Sequence, residues 1–542
     1  MGLLKKNEKP DLSNRENTNI DVDGYLTSWR LAAVVSSLYL GTLLVAIDTT
    51  IISVAVPKIS TVFKALDDIA WYGSAYLLTV TACQPSFGNL YKYFNVKHTY
   101  LVSIIVFEAG SILCAAAPNS PTFIAGRAIS GVGAAGLYQG ALGIIGYSVR
   151  LEKRPLYLGI VLSVFGIAVC IGPVVGGAFT DHVSWRWCFW INVPIGGAAF
   201  LLIFLFLKLQ DGGTPERRLP IKDKLKRMDP LGAILVIASV CCLLLALQWG
   251  GTTMPWRSKT VVGLLIGFGL LLIIFGLVQW WNGEKATIPL RIMWQRSVFM
   301  GAWFHFFLEM SIYIDIYFIP FYFQAVQGVD ATTSGVRSIP LGIAQIVAVV
   351  AVGALVTKIG HYVPFMIMGG CIGIVGTVLL TRIGIGTPTA LWATYLVVAG
   401  FGLGMGVQVP FTALQVVLSE SDVPTGNAII LFFSQLGASA AIAIGQSLFI
   451  NGLLREIPKL TDAIDPHTVV NAGPLNLKAL AKSPAVLHAL RNAYSLAVRD
   501  TMYYSLAAVC VTIPFAFGMQ WLNIKKAARN KDVEEEELVR LA

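Results

Sequence analysis

The chain has 542 residues, of which 56% are hydrophobic and 13% charged, and its formal net charge is +10. Soluble domains carry about 25% charged residues, so this composition excludes a water-soluble globular protein. The basic excess lies mostly between apolar stretches, where it reports membrane orientation rather than affinity for nucleic acid.

A helix crosses a hydrocarbon core of ~30 Å with about 20 apolar residues. Stretches of that kind predict spans at 31–53, 70–90, 99–117, 123–147, 157–179, 188–208, 230–249, 260–281, 298–319, 336–357, 364–383, 391–415, 427–450 and 501–521. With the amino terminus placed inside, 26 of the 40 Lys and Arg fall on the inner side and 13 on the outer, six of these in the long stretch 451–500. That asymmetry places both termini in the cytosol. Residues 1–30 read as a polar cytosolic tail without a cleavable signal peptide, so span 1 serves as the anchor.

The fold class expected is an all-α integral membrane protein of fourteen transmembrane helices. Residues 31–208 form a six-helix bundle, 209–229 a basic cytosolic linker, 230–281 a two-helix insertion, 298–521 a second six-helix bundle, and 522–542 a cytosolic tail. The basic cluster Arg217–Arg227 is expected at anionic lipid headgroups. Local echoes support the repeat of spans 1–6 in spans 9–14. Gly88-Asn-Leu90 is followed by Asn95, and Gly353-Ala-Leu355 by Gly360, two residue types that tolerate a left-handed backbone. Ala125-Gly126 opens span 4 as Ala399-Gly400 opens span 12.

Ionisable residues inside spans are expensive and need a reason. Asp48 lies near the outer end of span 1 and Arg127 near the outer end of span 4, each about 7 Å below the boundary at 1.5 Å per residue. Matched depth predicts a contact in which Arg127 holds the Asp48 carboxylate ionised until a proton competes for it. Glu108, midway along span 3, has no partner evident in sequence. In span 4, Gly131-Val-Gly133-Ala-Ala-Gly136 satisfies the dinucleotide fingerprint, but it lacks the strand that this motif requires. Its small residues are better read as helix-packing positions. In span 5, Gly172-Pro173 is expected to remove a backbone hydrogen bond and bend the helix, and Gly176-Gly177 to admit a close neighbour.

In span 9, His305 and Glu309 are four residues apart and share a helical face near mid-membrane, with Asp315 about 120° away from Glu309. They can relay protons, meet a cationic ligand or rest as a neutral pair. Within 451–500, Ser483-Pro484 predicts an N-cap, and Val486, Leu487, Leu490, Tyr494, Ala497 and Val498 recur at helical spacing. An amphipathic helix on the outer face leading into span 14 is expected. The eight cysteines lie in or beside spans without metal-ligand or disulfide spacing. With no metal site, P-loop or catalytic constellation, the chain is expected to be no enzyme and to use no cofactor, leaving an ion gradient as the driving force.

These residues resemble the major facilitator superfamily, in its fourteen-span drug:proton antiporter branch associated with multidrug and fungal toxin efflux. Asp48-Thr49-Thr50-Ile51 through Val56-Pro57 is similar to the acidic first-helix motif, and Arg127 with Gly131, Gly133 and Gly136 to the proton-transfer motif. Gly159, Ala168, Gly172-Pro173 and Gly176-Gly177 resemble the antiporter motif, with Ala168 in place of a usual glycine. The segment WRWCFWINVPIG from Trp185 to Gly196, PFYFQAVQGV from Pro320 to Val329, and the surroundings of Phe411, Gln415 and Gln435 are similar to fourteen-span exporters. The loop after span 2 keeps Gly88, Leu90, Lys92 and Lys97 of the cytosolic loop motif, but Tyr91 stands where that motif usually has Asp. The charge latch expected there is thereby put in question.

The resemblance implies a major facilitator fold and a proton-coupled exporter of amphipathic small molecules, working by alternating access between the bundles. Proton coupling is assigned to Asp48, Arg127, Glu309 and His305, and substrate contact to His305, Glu309, Tyr313, Asp315 and Gln435. The expected partners are the lipid bilayer, protons and the substrate, for a monomer in the plasma membrane, with the vacuolar membrane as the alternative. A proton-coupled importer of a small-molecule chelate and a non-transporting receptor or scaffold are the competing functions. The antiporter motif argues against the first, and dispensable intramembrane charges would mark the second.

Overall fold

The computed structural model describes residues 28–65, 68–207, 215–251 and 254–530. The sequence expectations for 1–27, 208–214 and 531–542 lie outside the described residues. Fourteen long helices organise the described residues. They are α1 (Ser28–Phe63), α2 (Ile69–Tyr93), α3 (Val96–Ala116), α4 (Ser120–Ser148), α5 (Arg154–Leu162 continued by Val164–His182), α6 (Asn192–Phe206), α7 (Pro230–Trp249) and α8 (Lys259–Asn282). There follow α9 (Arg296–Phe321), α10 (Ala331–Ile359), α11 (Val363–Leu380), α12 (Thr389–Gly404 continued by Val409–Val417), α13 (Val423–Leu460) and α14 (Pro484–Gly518). No β-strand occurs among the described residues. Helices are what a lipid environment demands, because each backbone N–H and C=O must find its partner inside its own segment. Among the described residues, thirteen segments are both long and apolar enough to cross a membrane. The helix outside that set, α2, is 25 residues long and carries Gln84, Ser86, Asn89 and Lys92, polar residues it turns toward protein.

Helix starts follow local chemistry. Asn119 accepts from the Thr122 N–H at 3.0 Å with Pro121 behind it, and Ser258 and Gln295 cap α8 and α9 in the same way. Asn95, a residue type that tolerates the left-handed form, is here an N-cap at φ −65° that accepts from the His98 N–H. A satisfied helix start is the alternative use of the same side chain. Gly360 does take the left-handed form, at φ +88°, and ends α10.

Around α1 and α4 gather α2, α3, α5 and α6, while α9 and α12 are surrounded by α10, α11, α13 and α14. The two groups meet along two seams, α5 with α10 and α2 with α13. The pair α7–α8 leans on α2 through α7 and leaves α8 largely uncovered. Asp229, at φ +47°, anchors that pair. Its carboxylate accepts from the Gly232 N–H, Gln279, Asn282, and both the N–H and hydroxyl of Thr287.

The structure redraws two spans. α13 has 38 residues and so is about 57 Å long, running well past the span at 427–450. Residues 484–518 form one helix, so the amphipathic segment predicted before span 14 is continuous with it, and Ser483 caps it by accepting from the Val486 N–H at 3.3 Å. Val469 and Leu477 of the stretch between α13 and α14, with Leu490 and Tyr494 in the first turns of α14, join one apolar core with α9. In α5 the regular helix continues through Pro173 and is interrupted at Ser163. A proline inside a continuous helix is compatible with the bend expected at Gly172-Pro173, and the irregular residue, Ser163, lies ten positions earlier. There the Ser163 hydroxyl turns back to the Ile160 carbonyl, at 2.7 Å.

An even number of helices returns the chain to one side, so Ser28 and Asn530 share a face. We call it the terminal face and its opposite the distal face.

Candidate functional site

Asp48 and Arg127 meet between α1 and α4. Arg127 Nη1 donates to Asp48 Oδ2, and Arg127 Nε donates to the Tyr72 carbonyl at 2.9 Å. The guanidinium lies 4.5 Å from the centroid of the Tyr76 ring, a cation–π contact on a second side. Asp48 Oδ1 accepts from Asn192 Nδ2 at 3.4 Å, and the same amide donates to Ser111 Oγ at 3.2 Å. Asp48 is 0% exposed and Arg127 1%, so water screens neither. In that low-dielectric setting the two charges bind strongly, and a proton arriving on Asp48 would release the guanidinium.

Asn192 and Ser111 were not among the residues singled out by sequence. The signal for Asn192 was present in the segment from Trp185 to Gly196. There Arg186 also donates to the Ala115 and Ala117 carbonyls, at 2.6 and 2.9 Å, and fastens the distal end of α3. The glycines of α4 approach α2 and α3. A Cβ at Gly131 would collide with α2 at Tyr76, and one at Gly133 with the backbone of Phe107 in α3, so the run is a packing seam.

His305 and Glu309 form a second site on α9. His305 Nε2 lies 2.9 Å from the Val407 carbonyl, which can only accept, so this nitrogen carries the hydrogen. Nδ1 then presents a lone pair toward Glu309 Oε1 at 3.7 Å, with no other partner among the described residues. Val407 lies in the unwound turn that divides α12, a break that the apolar run 391–415 did not show. Gly402, Gly404, Gly406 and Pro410 were the available signal. Broken helices whose free carbonyls line a mid-membrane site recur in transporters. Tyr138 of α4 and Tyr313 of α9 belong to one apolar core, which brings the two halves together here. Gln435 is buried on α13. Asp315 is turned to α14, where Oδ1 accepts from Ser505 Oγ at 2.9 Å and Ser505 meets Ser311 Oγ at 2.7 Å.

The glycine–proline segment of α5 fills the space between α1 and α10. Thr50 of α1 donates to the Ala168 carbonyl at 3.1 Å, and Cβ atoms at Gly172 and Gly176 would collide with Thr50 and Ile51. On the other side a Cβ at Gly159 would reach the Val349 carbonyl of α10, and one at Gly335 would lie 3.3 Å from Pro173. Gly177 is buried.

At the terminal face a charge latch joins the halves. Lys92 Nζ lies 3.0 Å from Asp422 Oδ1 at the start of α13, and Arg291 Nη2 lies 2.8 Å from Asp422 Oδ2. The latch left in question by Tyr91 thus exists with Lys92 as its cation. Tyr91 itself is buried and donates to the Gly136 carbonyl at 2.8 Å. Nearby, Gln139 Nε2 donates to the Pro424 carbonyl at 2.6 Å, and a Cβ at Gly88 would reach Ala428, so only glycine allows this approach. Leu90 is half-buried, and Lys97 donates to the Phe204 carbonyl at 2.7 Å, serving the end of α6 rather than the latch. In the basic linker, Arg217 rests on the Tyr147 ring and Lys224 on that of Phe94, while Lys222 stays exposed.

Burial alone would raise the Asp422 carboxyl, but hydrogen bonds from Arg291 and Lys92 hold it below its ordinary value of 3.8. A lowered carboxyl contributes above its unfolded value and loses that contribution as pH falls through the folded value. The latch is therefore insensitive to pH near neutrality. Asp422→Asn is expected to remove about 2 kcal/mol, or about thirtyfold in the ratio of closed to open terminal face. Faster reaction of a Gln415→Cys reporter with a membrane-impermeant maleimide would register that opening, and an unchanged rate would deny the latch.

A sequence profile described as Major Facilitator Superfamily matches residues 38–442. The chain is 40% identical over 534 residues to "MFS-type transporter astH" of Aspergillus oryzae, covering 96% of this chain and 94% of that protein. It is also 40% identical over 517 residues to "MFS-type efflux pump MFS1" of Arthroderma benhamiae, covering 95% of each. Among solved structures, the proton:xylose symporter XylE shares the fold at a TM-score of 0.58 and 14% identity, over 92% of this chain and 99% of that one.

Proposed function

The chain belongs to the Major Facilitator Superfamily, and from that premise we propose that it exports amphipathic small molecules in exchange for protons. The terminal face is then cytosolic, in keeping with the basic residues gathered there, and the resident membrane is the plasma membrane. Relatives named as efflux pumps support the direction of transport. The observation that carries proton coupling is the buried Asp48–Arg127 pair, contacted by Tyr72, Tyr76, Asn192 and Phe189.

Protonating Asp48 neutralises one partner and leaves Arg127 without its anion in a low-dielectric site, a strong bias against the conformation seen here. At mid-membrane, Glu309 faces the His305 Nδ1 lone pair, and Tyr138 and Tyr313 supply aromatic surface. A lipophilic substrate with one cationic or hydrogen-bonding group fits that combination. Cation binding would favour an ionised Glu309, and proton binding a neutral one, so the two ligands compete for one carboxyl. Asp315, hydrogen-bonded to α14, is left out of this lining. No cofactor enters this scheme, and a single chain supplies every group it uses.

Purified protein in proteoliposomes, challenged with lipophilic toxins under an imposed pH gradient, is expected to move protons opposite to substrate. The flow is expected to vanish in Asp48→Asn. Co-directed flow would replace this reading with an importer, and a mutant equal to the parent would move the proton site away from Asp48.

A further inference from the structure

The intramembrane acid without a role in this scheme is Glu108. It lies twelve residues into α3, about 12 Å below the helix's distal end by the 1.5 Å rise. Both carboxyl oxygens are buried, and neither has a hydrogen-bond partner among the described residues. The side chain lies in the α3–α6 interface, where a Cβ at position 196 would collide with Oε1, so Gly196 makes its room.

With no partner at that depth, an ionised carboxylate costs far more than the neutral acid. One turn away, Ser111 on α3 and Asn192 on α6 lie side by side, and Asn192 reaches Asp48. Asn192 Oδ1 is itself buried without a partner. The charged groups of this cluster are Asp48 of α1 and Arg127 of α4, while α6 contributes only Asn192 and Gly196, which do not titrate.

We propose that Glu108 is a second proton site of the first bundle, neutral while Asp48 is ionised, and exchanging its proton with Asp48 within the cluster that Ser111 and Asn192 complete. This rests on the proton-coupled reading above. In the exchange the O–H bond on Glu108 breaks as one forms on Asp48, so the charge of the two carboxyls together does not change. Arg127 loses its anion at that moment, and the new carboxylate on Glu108 stands one turn deeper.

A lipophilic carbodiimide tests the first part without any substrate. Dicyclohexylcarbodiimide takes the acid proton on nitrogen while the carboxylate oxygen bonds to its central carbon. The acyl group then migrates to nitrogen, and the whole reagent is retained as an N-acylurea. Full-length protein in lipid vesicles should carry this adduct on the Glu108 peptide at neutral pH, as read by mass spectrometry. Its yield should fall at least about tenfold as alkaline pH ionises the acid, and Glu108→Gln should abolish it. Absence of the adduct from Glu108, or a yield indifferent to pH, would overturn the proposal.

Glu108→Gln keeps the shape of the neutral acid and should fold. Asp48 must then take its proton directly from the aqueous side, so half-maximal proton movement should shift toward acid by at least about 0.5 pH unit. An unchanged profile would reduce Glu108 to a packing residue. Because labelling needs no transport, failure of the antiport reading and failure of the Glu108 assignment are separable.

Discussion

Arg127→Gln is expected to abolish transport and to destabilise the protein by about 3–5 kcal/mol, the usual result of removing one partner of a buried ion pair. The magnitude follows from the site. Asp48 has no exposure, and its Oδ2 takes its hydrogen bond from the guanidinium. The double variant Asp48→Asn/Arg127→Gln removes both charges together and should recover most of the stability, because two neutral amides can hydrogen-bond where one orphaned carboxylate could not. A pair that served only to neutralise two charges would recover transport along with stability. A coupling pair recovers stability alone. Thermal unfolding in detergent and proton-driven uptake in vesicles, measured on parent, single and double variants, separate the two roles. A double variant with parental transport would end the assignment of Asp48 as the proton site.

Glu309→Gln is the second large effect. Exchange of one proton for one neutral substrate lets a gradient of one pH unit sustain about a tenfold concentration ratio, equivalent to 1.36 kcal/mol. If Glu309 is the carboxyl for which substrate and proton compete, its amide binds no proton, and the sustained ratio falls to about one. The amide is nearly the same size and shape as the carboxyl it replaces, so the local packing survives. Binding of lipophilic cations should weaken, while neutral substrates should still equilibrate by exchange. Retention of uphill transport by this variant would place coupling wholly at Asp48.

Much of this was legible in residue order. Hydropathy marks where helices must lie, because a backbone in lipid has no alternative, and the fourteen stretches correspond to fourteen long helices. The Asp48–Arg127 contact could be anticipated because depth along a span is simply residue number times rise, and two buried opposite charges at one depth have strong reason to meet. The cap at Ser483 and the helix behind it are likewise local chemistry.

Other features required the assembled protein. Asp422 is a polar residue in a short loop with nothing in its neighbourhood to mark it. Only the seating of α13 against α2 brings it within 3.0 Å of Lys92, 330 positions away. The break in α12 is hidden in an apolar run, since hydropathy reports what a segment can bury and is blind to backbone path. Asn95 can serve a left-handed turn or an N-cap, and the neighbouring N–H of His98 decided it. Glu108 was visible as a buried charge, but whether it had a partner was a question of three-dimensional neighbours. The sequence by itself determined which segments enter the membrane and which charges go with them, because transfer free energy is a property of each segment. Which charges find partners and which stay neutral was decided by tertiary structure, because pairing depends on distances of a few ångströms between helices far apart in the chain.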